Sequence, residues 1–343
     1  MERSALRLTA VVIVTGALSS TLGSAAPAQP PRTIETPTLT AASAPVDQAD
    51  PRPERIPPVT PSPVPVPTPV APLPTAVARP GPTPRPIPAP AIDAQEVALV
   101  NLDTGRFLWQ SNARAAWAPA SLTKIFTAMV AVDLMGMNTM VTVPDSIRQL
   151  PAGSTFMGLT PGERVTVREL LYGVFLDSGN DAAETLASAA TSRSTFIADM
   201  NAKAARLGLR TTHFVNPTGL DAPGHLSSAA DLAIASVYLE SHYPSLVSIA
   251  ATPAIALPAT PTHKAYALVN LDKLLHTYPG VYGLKTGWTE LALGCLITTS
   301  NRGGHRVLGV LLGAPNGTAY AEMPKVLDYG FELLGVLPRP ATP

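Results

Sequence analysis

Residues 121–124 read Ser121-Leu122-Thr123-Lys124, and apolar residues at Ile125, Met129, Val132 and Leu134 follow before Gly136. That spacing predicts a helix from Ser121 to Met135, stopped by Gly136. Residues three apart share a helix face, so Ser121 and Lys124 meet without help from distant segments. A helix start also offers free N–H groups and the positive end of the dipole to developing negative charge. A hydroxyl beside an amine can act as nucleophile and base. The amine must be neutral, and burial or a second nearby cation favours that state. Taken alone, the pattern also describes a capping serine with an exposed lysine. The flanks Ala118-Pro119 and Ile125-Phe126-Thr127 are not a solvated surface, and of six lysines only Lys124 follows a serine by three positions.

Working outward, Val97 to Leu102 and Arg106 to Gln110 read as strands around the turn Asp103-Thr104-Gly105. After the Ser121 helix come helical patterns at Glu169 to Phe175, Asp181 to Ala190, Ser194 to Leu207 and Ala229 to Glu240. Gly283 to Trp288, Ala292 to Ser300 and Arg306 to Gly313 read as strands, with Asn301-Arg302-Gly303-Gly304 as a hairpin turn. A closing helix spans about Thr318 to Leu334. The order predicts an α+β fold, in which N- and C-terminal strands share one antiparallel sheet and a helical lobe is inserted between them.

Two further motifs fall at informative places. Ser178-Gly179-Asn180 lies between two predicted helices, where an ordinary turn is the plain alternative. Lys285-Thr286-Gly287 lies on a predicted strand, where an edge with a protective lysine is the plain alternative. A functional reading makes Lys285 the second cation and uses Gly287 to let substrate backbone lie close.

Composition divides the chain. Of 38 prolines, 22 fall between Pro27 and Pro90. Residues 27–91 cannot bury a core, and they read as a disordered polyproline spacer. Residues 92–343 are long enough for one catalytic domain. Arg3 and Arg7 precede the apolar run Leu8 to Leu22, with small residues at Ala26 and Ala28. Residues 1–26 therefore read as a cleaved export signal, with an uncleaved N-terminal anchor as the alternative. Net charge is zero, with 24 basic and 24 acidic residues, and no basic patch suggests nucleic acid. Cys295, the single cysteine, sits in an apolar run and reads as a buried small hydrophobe. Six histidines include no His-x-x-x-His pair, which disfavours a zinc peptidase. His225 reads as structural and Asp221 as a loop-ordering carboxylate. Trp288 reads equally as groove lining or core.

The three motifs in this order resemble the serine D-alanyl-D-alanine carboxypeptidases, the low-molecular-mass penicillin-binding proteins. The resemblance extends over residues 95–335 and includes Gly158-Leu159-Thr160-Pro161-Gly162-Glu163, Ser178-Gly179-Asn180-Asp181-Ala182 and Asn216-Pro217-Thr218-Gly219-Leu220-Asp221. It implies a β-lactamase/transpeptidase-like fold, no metal and no cofactor. It also implies a peptidoglycan stem peptide as substrate, β-lactams as inhibitors, and a place in the periplasm or outside the cytoplasmic membrane. By position, it implies Ser121 as acylated nucleophile, Lys124 as base, Ser178 as proton relay and Asn180 as holder of the acyl-side amide. It implies that Lys285 supplies positive potential and Thr286 binds the terminal carboxylate in the Lys285-Thr286-Gly287 segment. The Ser121 and Trp288 N–H groups would form the oxyanion hole.

Three departures stand out. Asn270-Leu271-Asp272 replaces a common Asn-x-Asn, and Tyr282 replaces a common aspartate. Few residues follow Gly287, so a C-terminal domain and membrane helix are not expected, and any tether is expected at the N-terminus. A serine β-lactamase is the main competing reading, but the chain has Ser-Gly-Asn for Ser-Asp-Asn and no Glu-x-x-Leu-Asn loop. Endopeptidase or transpeptidase action on the same fold also fits the motifs, and a wall-binding protein without turnover fits the proline-rich arm.

Overall fold

Asp103-Thr104-Gly105 turns the chain between β1 (Glu96–Asn101) and β2 (Arg106–Ser111), as expected. Gly105 takes φ +70, a conformation glycine adopts without steric cost. The computed structural model describes residues 87–315 and 317–336. The expected export signal, the spacer up to residue 86 and the residues after 336 lie outside them.

The turn at Ala120–Thr123 is a tight 3-10 helix, and α1 (Lys124–Leu134) begins only at the lysine. The expected single helix from Ser121 is thus two pieces, entered through Ala120 at φ +48. Next comes a small strand pair, β3 (Met140–Thr142) with β4 (Arg164–Thr166). Helix α2 (Val167–Phe175) follows, opened by a capping box between Thr166 and Glu169. The lobe continues through α3 (Asn180–Ala190), α4 (Arg193–Arg206), α5 (Ala229–His242) and α6 (Pro244–Ala250). A second small pair, β5 (Ala254–Leu257) with β6 (Tyr266–Val269), and the single turn α7 (Leu274–Thr277) lead to β7 (Val281–Thr289). Strands β8 (Leu293–Arg302) and β9 (His305–Ala314) form the expected hairpin. Its turn residues Gly303 and Gly304 take φ +60 and +83, the pair of positive φ values that matches strand twist. Helix α8 (Ala319–Leu333) closes the fold.

All five long strands join one antiparallel sheet in the order β2-β1-β9-β8-β7. The fold is α+β, with N- and C-terminal strands side by side, as the sequence predicts. Period-two alternation divides β1 between two cores. Val97 and Leu99 join Val307, Leu311, Met323, Leu327 and Phe331 on the α8 side. Ala98 and Val100 join Ile297, Leu308, Phe126 and Leu232 on the side of the helical lobe. Each buried aliphatic or aromatic side chain contributes roughly 1.5–3 kcal/mol. The lobe is tied to the sheet at Glu96, whose Oε2 accepts from Ala229 N at 2.7 Å and so caps α5 from β1. Strand β7 is left at the sheet edge, against the turn that carries Ser121.

Candidate active site

Three elements converge on Ser121. Lys124, at the first position of α1, is fully buried. Its Nζ lies 2.8 Å from Ser121 Oγ, 2.7 Å from Asn180 Oδ1 and 2.7 Å from the Thr218 carbonyl oxygen. A neutral amine has two N–H donors and one lone pair. With Asn180 and Thr218 taking the two N–H groups, the lone pair is left facing the Ser121 hydroxyl. That is the geometry for accepting a hydroxyl proton.

The Thr218 carbonyl is fixed by its own loop. Asn216 Oδ1 accepts from Thr218 N, Thr218 Oγ1 and Gly219 N at 3.1, 2.9 and 2.7 Å. Gly219 takes φ +85, and a Cβ there would fall 1.9 Å from the Ala120 carbonyl oxygen. Only glycine lets this loop reach the nucleophile's turn. Asp221 Oδ1 accepts from Thr289 Oγ1 at 2.6 Å, which ties the same loop to β7. Asp221 thus orders the loop, as the sequence suggests.

Asn180 opens α3 behind Ser178, which is held at φ +56. Strained non-glycine positions such as Ala120 and Ser178 persist only where the surroundings over-determine them. Here Thr155 Oγ1 donates to the Ser178 carbonyl at 2.7 Å, and Asn180 N donates to the Thr155 carbonyl at 2.9 Å. Beside them, Asp181 Oδ1 accepts from Met157 N and Ala182 N, and Oδ2 from Gly158 N and Leu159 N, all at 2.8–2.9 Å. One carboxylate therefore pins residues 157–159 to the start of α3.

Strand β7 supplies the third side. A Cβ at Gly287 would lie 3.0 Å from Ser121 N and 3.3 Å from Leu122 N. The glycine lets the strand press against the nucleophile's turn, where the sequence alone suggests close approach of substrate backbone. Lys285 is buried, and its Nζ donates to the Thr286 carbonyl at 3.0 Å. Trp288 is 57% exposed, which decides between groove and core in favour of the groove.

Ser121, Ser178, Asn180, Thr286, Gly287 and Trp288 line one cavity of about 680 Å³. Lys124 and Lys285 are buried in its wall. Burial holds the Lys124 ammonium well below the ordinary lysine range, and the charge of Lys285 pushes it the same way. Asp181 and Glu184 oppose them. Burial brings Lys285 down to about 7, against the pull of Asp272. Burial thus favours the neutral form of both lysines.

The sequence profile of the D-alanyl-D-alanine carboxypeptidase family matches residues 84–316. The chain belongs to that family. It is 37% identical over 247 residues to the D-alanyl-D-alanine carboxypeptidase DacF of Bacillus subtilis, covering 70% of this chain and 63% of that protein. It therefore spans less than two thirds of that relative's length. It is also 37% identical over 246 residues to DacB2 of Mycobacterium tuberculosis, covering 70% and 83% of the two chains. Among solved structures, a D-alanyl-D-alanine carboxypeptidase from Mycobacterium tuberculosis superposes with TM-score 0.67 at 34% identity, over 72% of this chain and 94% of that one. The Streptomyces K15 DD-transpeptidase superposes with TM-score 0.65 at 31% identity, over 72% of this chain and all of that one. The transpeptidase-like α+β fold that the resemblance implies is the fold observed.

Within this carboxypeptidase-family fold, the remaining candidates fall into structural roles. Val215 N donates to His225 Nδ1 at 3.1 Å, so the ring's proton sits on Nε2 and is donated to Thr123 Oγ1 at 2.8 Å. Burial keeps this imidazole neutral, with its pKa near 4. Cys295 is buried, and burial pushes its thiol up to about 12. Sequence reasoning missed the Thr218 carbonyl as a ligand of Lys124, because a backbone oxygen has no side-chain signature. It also missed the loop-pinning role of Asp181, and gave Asp272 no role beyond a departure from pattern.

Proposed function

We propose that this chain is an exported serine D,D-carboxypeptidase that removes the terminal D-Ala from peptidoglycan stem peptides through a Ser121 acyl-enzyme. The observation that carries this reading is the buried Lys124 amine, held 2.8 Å from Ser121 Oγ by Asn180 and Thr218. Neutral Lys124 takes the hydroxyl proton as Ser121 Oγ attacks the carbonyl carbon of the D-Ala-D-Ala bond. The oxyanion is received by the Ser121 and Trp288 N–H groups, each such donor contributing about 3–4 kcal/mol at the transition state. The proton passes through Ser178 to the leaving amine, and D-Ala departs. A water molecule, deprotonated by Lys124, then hydrolyses the ester and frees Ser121.

Asn180 aligns the amide on the acyl side. Lys285 and Thr286 hold the terminal carboxylate, a role that favours substrates ending in a free D-amino acid. β-Lactams, whose ring amide and carboxylate imitate that end, acylate Ser121 in the same way. Residues 92–343 are the catalytic domain, 27–91 a proline-rich spacer, and 1–26 the export signal or anchor. The enzyme works outside the cytoplasmic membrane. The names of the Bacillus subtilis and Mycobacterium tuberculosis relatives support the carboxypeptidase reading.

Release of D-Ala from a synthetic peptide ending in D-Ala-D-Ala tests it. The wild-type protein should release D-Ala, and Ser121→Ala should release none. Release by the alanine variant at the wild-type rate would defeat the proposal.

A further inference from the structure

Asp272 stands just before α7, which packs against β7, and it is only 1% exposed. Its Oδ1 accepts from Leu274 N at 3.0 Å. Its Oδ2 is buried and meets no hydrogen-bond donor among the described residues. A buried carboxylate with an empty oxygen is costly. Serine would accept from Leu274 N with no second oxygen left empty, and asparagine would do so without a buried charge. What the carboxylate adds is a charge.

The charge falls on Lys285. Each is the other's opposite-charge neighbour: Asp272 pulls Lys285 upward, and Lys285 pulls Asp272 downward against the burial that raises its pKa to about 6. The interaction acts through space, since Lys285 Nζ directs its hydrogen bond to the Thr286 carbonyl. Other charged groups act around the pair. Lys124 feels the charge of Lys285, with Asp181 and Glu184 acting on Lys124 from α3. Tyr320, on α8, has its phenol pushed up to about 12 by burial and by the Asp272 charge. Lys273 lies over the Tyr320 ring, 5.5 Å from its centroid.

We propose that Asp272 is a positioning residue for the reaction: its buried carboxylate is the counter-charge that keeps Lys285 protonated while neighbouring Lys124 is neutral. The inference rests on the role given to Lys285 in the proposed reaction. Burial favours the neutral form of both lysines, and a neutral Lys285 cannot attract a carboxylate. Asp272 biases the one that must stay charged. Leu271, its chain neighbour, lines the same cavity as Thr286.

The test compares the wild-type chain with Asp272→Asn, which keeps an acceptor for Leu274 N. Lysine labelled with ¹³C at the ε carbon gives six signals, and Lys285 is assigned with Lys285→Arg. The Lys285 midpoint should fall by about one pH unit or more, the shift that losing a close opposite charge produces. The alkaline limb of the penicillin acylation rate should move down with it. An unmoved midpoint, or a uniform loss of rate at every pH with the limb unmoved, overturns the inference. Wild-type protein that is never labelled at Ser121 defeats the functional reading, while the midpoint still decides the Asp272–Lys285 coupling. If the asparagine variant does not fold, Asp272→Ser repeats the comparison with the same two readings.

Discussion

Replacing Asp181 by asparagine should loosen the segment beside Ser178 by an amount the hydrogen bonds allow one to work out. The carboxylate accepts four backbone N–H bonds, two on each oxygen. In Asp181→Asn one oxygen becomes an NH2 group. If the amide oxygen stays on Met157 and Ala182, the new donor faces the N–H groups of Gly158 and Leu159. Two charge-assisted bonds are lost, each worth roughly 1.5–3 kcal/mol. Residues 157–159 can shift to recover some of this through water, so the lower end, about 3 kcal/mol, is the expected loss. For a domain of this size that corresponds to a fall in Tm of roughly 6–12 °C. Because Asn180 N is tied to Thr155 and Asn180 Oδ1 holds Lys124, Ser121 acylation should slow as well. Urea or thermal unfolding followed by circular dichroism gives the stability, and labelling with a fluorescent penicillin gives the rate. A variant as stable as wild type would refute the pinning role of the carboxylate.

Other outcomes follow from single positions. Gly219→Ala places a Cβ 1.9 Å from the Ala120 carbonyl at φ +85. The loop must move away from Lys124, and penicillin labelling should fall by on the order of 100-fold or more, the cost of losing one well-placed polar contact at the reacting centre; near-normal labelling would contradict the close approach. Glu96 is raised to about 7 by burial, so the folded state holds an extra proton between about pH 4.5 and 7. Stability contributed at Glu96 should therefore fall as pH rises through that window, by at most about 3 kcal/mol. Asp231 adds to this shift, while His225 acts in the opposite sense as its imidazole resists charging. Glu96→Gln should remove only the Glu96 part, seen as the difference between wild-type and variant unfolding curves at pH 5 and pH 8; parallel curves would exclude it. Trp288→Ala, at a 57% exposed position, should change stability by less than about 0.5 kcal/mol. It should raise KM for peptide substrate, and a large drop in Tm would instead assign Trp288 to the core.

Much of this arrangement is legible in the chain itself. Ser121 and Lys124 are three apart, and local geometry alone brings them together. The β8–β9 hairpin declares itself through the apolar runs Leu293 to Ile297 and Val307 to Leu312 around paired glycines. The strand pairs β3–β4 and β5–β6 are not legible, because three or four residues carry no usable period. The break between the Ala120–Thr123 turn and α1 is hidden for a different reason. It depends on Gly219 and Gly287 pressing on that turn from positions far along the chain. Lys285 as second cation follows from its motif. Its counter-charge at Asp272 does not, since the pairing exists only once α7 is packed on β7. Trp288 is undecidable from sequence, because an aromatic on an edge strand fits either face.

In the proposed reaction Ser121 is acylated with Lys124 as its base. Mass spectrometry of the full chain, incubated in turn with benzylpenicillin and with a peptide ending in D-Ala-D-Ala, tests it most directly. The expected products are a penicilloyl adduct on the peptide containing Ser121 and free D-Ala in the second incubation, with neither from Lys124→Arg, whose guanidinium cannot become neutral. An adduct on any other residue, or labelling of the arginine variant at the wild-type rate, would contradict it.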